Sequence, residues 1–103
     1  MSDISQDIKE LQAYIWQMNI DRGFAEEPAE QKMLLLTEEV GELAKAVREH
    51  IGMKFSSTTS KSDAASELAD VLIVALGLAS TLKIDVYDAL VQKEAKNAKR
   101  KWS

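Results

Sequence analysis

Apolar residues recur every three or four positions along most of the chain, and this period restricts the fold more than any other feature of the sequence. Such spacing places apolar side chains on one face of an α-helix, whereas a half-buried strand would show them at every second residue. No segment of the chain alternates in that way. The sequence therefore predicts an all-α protein.

The first two apolar stripes predict two long helices. The first helix is expected to end near 21–23, and its stripe consists of Ile4, Ile8, Leu11, Ile15 and Met18. The second is expected to run for about 24 residues between Pro28 and Gly52, because proline suits a first helical turn and glycine a helix end. Its stripe consists of Met33, Leu36, Val40, Leu43, Val47 and Ile51.

Two further helices are predicted in the second half of the chain. The segment at 55–62 is polar and aperiodic, which is typical of a loop. Ser62 or Asp63 can cap a third helix that runs to about Thr81, and Asp85 can cap a fourth with Asp88 in its first turn. A length of 103 residues is enough for one domain, so we expect a single four-helix domain over residues 1–103.

Composition restricts the chemistry that the chain can perform. Without Cys, and with His50 as the single histidine, the chain has no disulfide or thiolate site, and catalysis has to rely on carboxylates. The N-terminus is acidic where a secretory signal is basic, and the apolar run at 71–79 is shorter than the roughly 18 residues of a membrane span. We therefore expect a soluble cytoplasmic protein without a membrane partner. A net charge of −4 argues against general nucleic-acid binding.

An acidic residue interrupts the apolar stripe of the third helix. Glu67 shares that stripe with Val71 and Val74, and Asp70 lies one turn further on. The segment 71–79 is apolar or small all the way round, which indicates a helix enclosed on several sides. A carboxylate in such surroundings is costly unless a cation or hydrogen-bond donors compensate its charge.

The second helix carries a matching acidic pair. Glu39 and Glu42 are three residues apart and project from one face, beside the main apolar stripe. The two helices are joined by a loop and are expected to be antiparallel neighbours, so the four carboxylates converge. One explanation is a bound Mg²⁺ or Mn²⁺, which prefers oxygen ligands. The other is that these acids are solvated and complement a helix dipole.

The residues Glu38-Glu39-Val40-Gly41-Glu42 resemble a known signature together with Glu67-Leu68-Ala69-Asp70, and 24 residues separate Glu42 from Glu67. It is the EExxE and ExxD pattern of the MazG-like, all-α nucleoside triphosphate pyrophosphohydrolases. Lys93 and Asn97, with a basic segment after them, resemble the KxxxN and basic tail of that family. The resemblance implies a four-helix MazG-like bundle that assembles as a dimer or a dimer of dimers.

The resemblance also implies an activity: Mg²⁺-dependent hydrolysis of a nucleoside triphosphate to a monophosphate and pyrophosphate, in nucleotide-pool housecleaning. The metal ligands would be Glu39, Glu42, Glu67 and Asp70. Glu38 would orient or deprotonate the attacking water. Lys93, Asn97 and Arg100 recur at i, i+4 and i+7, so one face of the fourth helix would present them to the phosphates.

Two single residues allow more than one interpretation. Trp16 could stack on a nucleobase, but its place beside Ile15 also suits a core or a subunit interface. Lys32 lies two turns before Glu39 and could touch phosphate, although an exposed lysine is the simpler expectation.

Two alternative functions stay open on the sequence alone. The first is a phosphoribosyl-ATP pyrophosphatase-like enzyme, which the same family resemblance allows. The second is a non-enzymatic helical interaction module, whose acids are solvated and whose apolar third helix binds a partner.

Overall fold

The computed structural model of the protein describes residues 5–52 and 63–100, and these two ranges contain helices and no strand. The helices are α1 (Ser5–Asp21), α2 (Ala29–His50), α3 (Ala64–Thr81) and α4 (Val86–Ala98). The predicted all-α fold class is confirmed. The predicted loop at 55–62 lies outside the described residues.

The helices α3 and α4 begin at capping residues that the sequence predicts, whereas the proline that the sequence places in the first turn of α2 lies just before that helix. Pro28 is the N-cap of α2. Asp63 Oδ1 accepts a hydrogen bond of 3.0 Å from the backbone N–H of Ala65 at the start of α3. Asp85 Oδ1 accepts one of 2.9 Å from the backbone N–H of Asp88 in the first turn of α4. Each carboxylate satisfies a backbone donor that the helix leaves without a partner.

The helices α2 and α3 form the most extensive pair, α1 packs on α3, and α4 packs on α1. Glu39 meets Asp70, and Lys32 shares a cavity wall with Gly77. Residue numbers therefore rise along α2 as they fall along α3. The pair is antiparallel, as the loop that joins the two helices in the sequence predicts.

The side chain of Gln12 ties α1 to the connection between α3 and α4. Its Nε2 donates to the Ser80 hydroxyl at 3.1 Å and to the Ile84 carbonyl at 2.8 Å. Its Oε1 accepts from the backbone N–H of Val86 at 2.9 Å. One buried amide thereby orients the start of α4 relative to α1.

The buried face of α2 is not the apolar stripe that the sequence suggests. Lys32, Ala46 and Glu49 are the buried residues of this helix. Val40 and Val47, from the predicted stripe, are exposed over 49% and 43% of their surface. The acidic flank of α2 faces α3, and the apolar stripe points about a quarter turn away from it.

Lys32 is buried, so the expectation of an exposed lysine is wrong. Its Nζ donates to the Phe24 carbonyl at 2.7 Å and lies 3.4 Å from Glu27 Oε1. Both partners belong to the connection between α1 and α2. The pairing with a carboxylate and a carbonyl is what permits a lysine at this depth.

Arg100 does not lie on α4, contrary to the prediction of one basic helix face. The helix ends at Ala98, and Lys99 is its C-cap. The Arg100 N–H donates to the Asn97 carbonyl at 3.1 Å, which is a tighter turn than the α-helical one. Lys93 and Asn97 remain one turn apart on the helix.

Among the described residues, α3 is the single helix that is long and apolar enough to cross a membrane. This finding rests on the length and composition of the helix alone, and core helices of soluble proteins meet the same criterion. Here α3 packs against α2 and α1, and its first two turns carry Glu67 and Asp70.

Candidate active site

Three carboxylates meet between α2 and α3. One oxygen each from Glu39, Glu67 and Asp70 lies within 4.8 Å of the other two. Glu39 comes from the middle of α2, and the other two come from successive turns of α3. The i, i+3 spacing on one helix and the antiparallel packing of the other bring them together.

This carboxylate cluster fits a hard divalent cation. Mg²⁺ binds oxygen ligands at about 2.1 Å, so ligands on opposite sides of the ion are about 4.2 Å apart. Oxygens that all lie within 4.8 Å of one another meet this requirement with small side-chain adjustments. The donor set holds only oxygen, which suits Mg²⁺ or Mn²⁺ and not zinc.

The electrostatics of the cluster centre on Glu39. Loss of hydration raises the pKa of the Glu39 carboxyl, and the charges of Asp70 and Glu67 raise that pKa further. Glu42 and Glu38 act in the same direction at smaller magnitude. The raised pKa thus reflects lost hydration first and the negative charge of the neighbouring acids second.

Two acids of the EExxE segment lie outside the group of three. Glu42 and Glu38 are both exposed on α2, although both are near enough to raise the pKa of Glu39. The structure therefore brings together three of the four expected metal ligands. Glu42 and Glu38 flank the cluster from the solvent side.

The expected phosphate-binding residues lie on a different helix pair. Lys93 is exposed on α4, whose extensive packing is with α1 and not with α2 or α3. Asn97 is half-buried, and within the described chain its Oδ1 is buried without a hydrogen-bond partner. Within one chain, Lys93 and Asn97 therefore lie apart from the carboxylate cluster.

Trp16 also lies away from the cluster. It lines an open groove of about 360 Å³ together with Lys9, Lys83 and Asp85, at the junction of α1 with the connection between α3 and α4. The groove is polar and contains the Lys9–Asp85 ion pair, with a distance of 2.7 Å. Trp16 is half-buried there.

A second cavity, which the sequence does not predict, lies between α1, α2 and α3. Its volume is about 140 Å³, and its wall includes Asn19, Phe24, Lys32, Leu35 and Gly77. Leu35 precedes Glu39 by one turn of α2, so the cavity adjoins the carboxylate cluster. The glycine within the apolar α3 is the one local signal, because a small residue in such a helix often marks a close approach.

Comparison with known proteins agrees with this geometry. A model of the MazG nucleotide pyrophosphohydrolase domain matches residues 27–102, which include the whole cluster. A dATP/dGTP diphosphohydrolase of Cyanophage S-2L is 36% identical over 94 residues, covering 91% of this chain and 72% of the relative. No solved structure matches the chain.

The chain belongs to the MazG nucleotide pyrophosphohydrolase domain family. It is accordingly a nucleoside triphosphate pyrophosphohydrolase of a metal-dependent family, and its described residues contain a cluster of three carboxylates. The alternative of a non-enzymatic interaction module does not agree with this membership.

Proposed function

We propose that this chain, acting as a single domain over residues 1–103, hydrolyses a purine deoxynucleoside triphosphate to the monophosphate and pyrophosphate with Mg²⁺. The observation that carries the proposal is the meeting of Glu39, Glu67 and Asp70 within 4.8 Å. The purine preference is suggested by the relative named for dATP and dGTP. The setting is the cytoplasm and the role is nucleotide-pool housecleaning, with neither a membrane nor a nucleic acid as partner.

The metal would be held by Glu39, Glu67 and Asp70, with Glu42 as a fourth ligand from the same helix face. A bound Mg²⁺, or Mn²⁺ in its place, supplies charge neutralisation of the triphosphate and acidifies a bound water. The three carboxylates place that charge at a fixed point between two packed helices. Lost hydration and, after it, the charges of the acidic neighbours raise the pKa of Glu39, which supports this assignment because a bound cation would favour the charged carboxylate.

The remaining roles belong to residues around the cluster. Glu38, exposed one residue before Glu39, would orient or deprotonate the attacking water. Lys93, Asn97 and Arg100 would bind phosphate oxygens, and Asn97 would do so by donating from its Nδ2, since its buried Oδ1 can only accept a hydrogen bond. Trp16 lies away from the carboxylate cluster within one chain, so it would stack on a nucleobase at a site that a second subunit completes.

A second subunit is proposed to complete the site. Within one chain α4 packs on α1, away from the carboxylate cluster, and large apolar side chains of α2 and α3 are exposed. Association of copies as a dimer or a dimer of dimers would cover that surface and bring another α4 within reach of the phosphates. A thin core at this chain length favours such association.

A substrate panel tests the activity. The purified protein is incubated with canonical deoxynucleoside and nucleoside triphosphates and Mg²⁺, and the products are separated. Release of pyrophosphate and monophosphate, fastest with dATP or dGTP, is expected. Release of orthophosphate alone, or no turnover with any triphosphate, would refute the proposal. Phosphoribosyl-ATP in the same panel tests the neighbouring activity, and faster turnover of it would reassign the substrate.

A further inference from the structure

The helix α4 is attached to the rest of the chain mainly through polar contacts at its N-terminal end. Within the described part of the chain, no residue of α4 is buried, and α1 is the one helix on which it packs extensively. A helix without a buried side chain has little apolar packing to fix its direction. The direction of α4 therefore depends on the groups that bind its first turn to α1.

Gln12 of α1 holds the point at which α4 begins. Its amide bonds to the Ile84 carbonyl at 2.8 Å and to the Val86 N–H at 2.9 Å. Both groups lie at or before the first residue of α4. These bonds fix the position of the helix start, but they do not by themselves fix the tilt of the helix about that point.

Lys9 binds α4 at a second point, one turn further along. Its Nζ lies 2.7 Å from Asp85 Oδ2, 3.5 Å from Asp88 Oδ1 and 5.5 Å from the centre of the Tyr87 ring. Lys9 precedes Gln12 by three residues, so the two side chains leave the same face of α1. Two attachment points on each helix define the direction of α4 as well as the position of its start.

The charges of the Lys9–Asp85 pair support each other. The hydrogen bond to Asp85 raises the pKa of the Lys9 ammonium, and the same bond lowers the pKa of the Asp85 carboxyl, so both groups are charged at neutral pH. Their side chains are 41% and 39% exposed, and exposed ion pairs contribute little to the free energy of unfolding. A role in orienting α4 accounts for this pair better than a role in stability.

A small tilt at the first turn of α4 becomes a large displacement at its other end. Asn97 lies nine residues beyond Asp88, which corresponds to about 13 Å along a helix axis. A tilt of about 10° would move Asn97 by about 2 Å and Lys93 by about 1 Å. A displacement of about 1 Å is enough to lose most of the benefit of a positioned group.

We propose that Lys9 is a positioning residue for the phosphate contacts of α4: its bridge to Asp85 and Asp88 sets the direction of the helix and thereby the places of Lys93 and Asn97. The inference rests on the proposed nucleotide hydrolysis and adds to it a residue of α1 that touches no substrate. Loss of the bridge leaves the carboxylate cluster between α2 and α3 in place, because the charged and aromatic groups that Lys9 contacts all lie at 85–88.

Steady-state kinetics with dATP and Mg²⁺ test the consequence for substrate binding. Lys9→Met removes the charge and keeps the length of the side chain. It should raise the KM for dATP about tenfold, within the range for one lost charge-assisted hydrogen bond, with little change in kcat. This split is expected because contacts to phosphate oxygens bind the substrate and the transition state alike.

Two further variants serve as comparisons. Lys9→Arg should retain the wild-type KM, because a guanidinium can bridge the same two carboxylates. Lys83→Met is the matched control: Lys83 is exposed, lines the same groove as Lys9 and makes no ion pair with any residue that the structure describes. An equal rise in KM for Lys83→Met would show that loss of any positive charge near the groove suffices, and would overturn the proposal.

A mutant cycle shows whether Lys9 acts through the phosphate contacts. In a background that lacks both of them, Lys93→Met with Asn97→Leu, the further change Lys9→Met should leave the KM as it is. A second rise by the same factor would mean that Lys9 acts by another route, and the proposal would be wrong.

The direction of α4 is measurable without substrate. The chain has no cysteine, so Gln17→Cys on α1 and Lys96→Cys on α4 accept a pair of spin labels at exposed positions. Dilution into unlabelled protein restricts the measured distance to one chain. Lys9→Met should shift or broaden the distance distribution by about 2 Å, whereas Lys83→Met should not. An unchanged distribution in Lys9→Met would overturn the proposal even if no variant turned over substrate.

The outcomes for the two proposals differ. If the wild type releases pyrophosphate from dATP and Lys9→Met retains its KM, Lys9 does not position the phosphate contacts and the hydrolytic function stands. A lowered melting temperature with an unchanged KM would assign Lys9 a structural role and would likewise overturn the inference alone. If the wild type hydrolyses no triphosphate, both proposals fail.

Discussion

At the scale of single residues, the carboxylate cluster explains why acidic side chains interrupt two apolar helices. Glu39, Glu67 and Asp70 meet within 4.8 Å, and their mutual repulsion is the cost of a site prepared for a cation. The pKa of Glu39 is raised by lost hydration first and then by the charge of each acidic neighbour.

The first prediction concerns Asp70. Asp70→Asn should lower turnover at least about a hundredfold, because a neutral amide binds a hard cation poorly, while the helical circular-dichroism signal stays unchanged. The Mg²⁺-induced stabilisation, about 2.7 kcal/mol for the wild type at a hundredfold excess over Kd, should be lost as well. Glu30→Gln, which changes an exposed acid in the first turn of α2, is the control. Near-normal turnover of Asp70→Asn would show that Asp70 is not a ligand.

The second prediction concerns the pH dependence of stability. The raised pKa of Glu39 means that the folded state disfavours its charged form, so the wild type gains stability as pH falls through that folded pKa. Without metal, Glu39→Gln should therefore melt at a higher temperature than the wild type at pH 7. The difference should shrink at pH values below the ordinary pKa of glutamate. A variant that melts lower at pH 7 would contradict the assigned repulsion.

At the scale of elements, the antiparallel pair α2–α3 builds the site, and α1 closes the cavity beside it. The start of α4 is tied to α1 by a buried amide and by the Lys9–Asp85 ion pair. Gln12 bonds to Ser80, Ile84 and Val86 and so connects three elements.

The third prediction concerns this connection. Gln12→Leu should lower the free energy of unfolding by about 2 kcal/mol, because it leaves the Val86 N–H and the Ser80 hydroxyl without their partner. Chemical denaturation measures the change. Gln17→Leu is the matched control, since Gln17 is exposed and bonds only Asp21 on its own helix. Equal effects of the two variants would contradict the role of Gln12.

At the scale of the whole molecule, one chain is more open than a finished globular domain. Its radius of gyration is 16.4 Å, compared with about 13 Å for a compact chain of 100 residues. Large apolar side chains remain exposed on every helix, among them Leu68 and Leu72 at 50% and 55% of their surface. Exposure on this scale is typical of a surface that another molecule covers.

The fourth prediction concerns assembly. Analytical ultracentrifugation at micromolar concentration should find a dimer or tetramer, and the double variant Leu68→Glu and Leu72→Glu should shift it toward monomer by burying charge at the interface. Tyr14→Glu, an exposed residue on α1, adds charge elsewhere as a control. A wild type that sediments as a monomer would refute the proposed assembly.

The sequence alone predicted the four helices from local properties: apolar periods for α1, α2 and α3, and capping residues for α3 and α4. Asp63 and Asp85 cap α3 and α4 as expected. The three clustered carboxylates were also predictable, since i, i+3 spacing places two of them on one face and the resemblance names the third. Membership in the family follows from these same residues.

Only the tertiary structure decided how the helix faces are used. The apolar stripe of α2 turns outward and Lys32 turns inward, because packing against α3 selects a face by fit with the neighbouring helix and not by hydrophobicity alone. The cavity arises in the same way, from Asn19 and Gly77, which are 58 residues apart and share no local pattern. The apolar period of each segment specifies a helix, but the cavity between α1, α2 and α3 forms only when the three helices pack together.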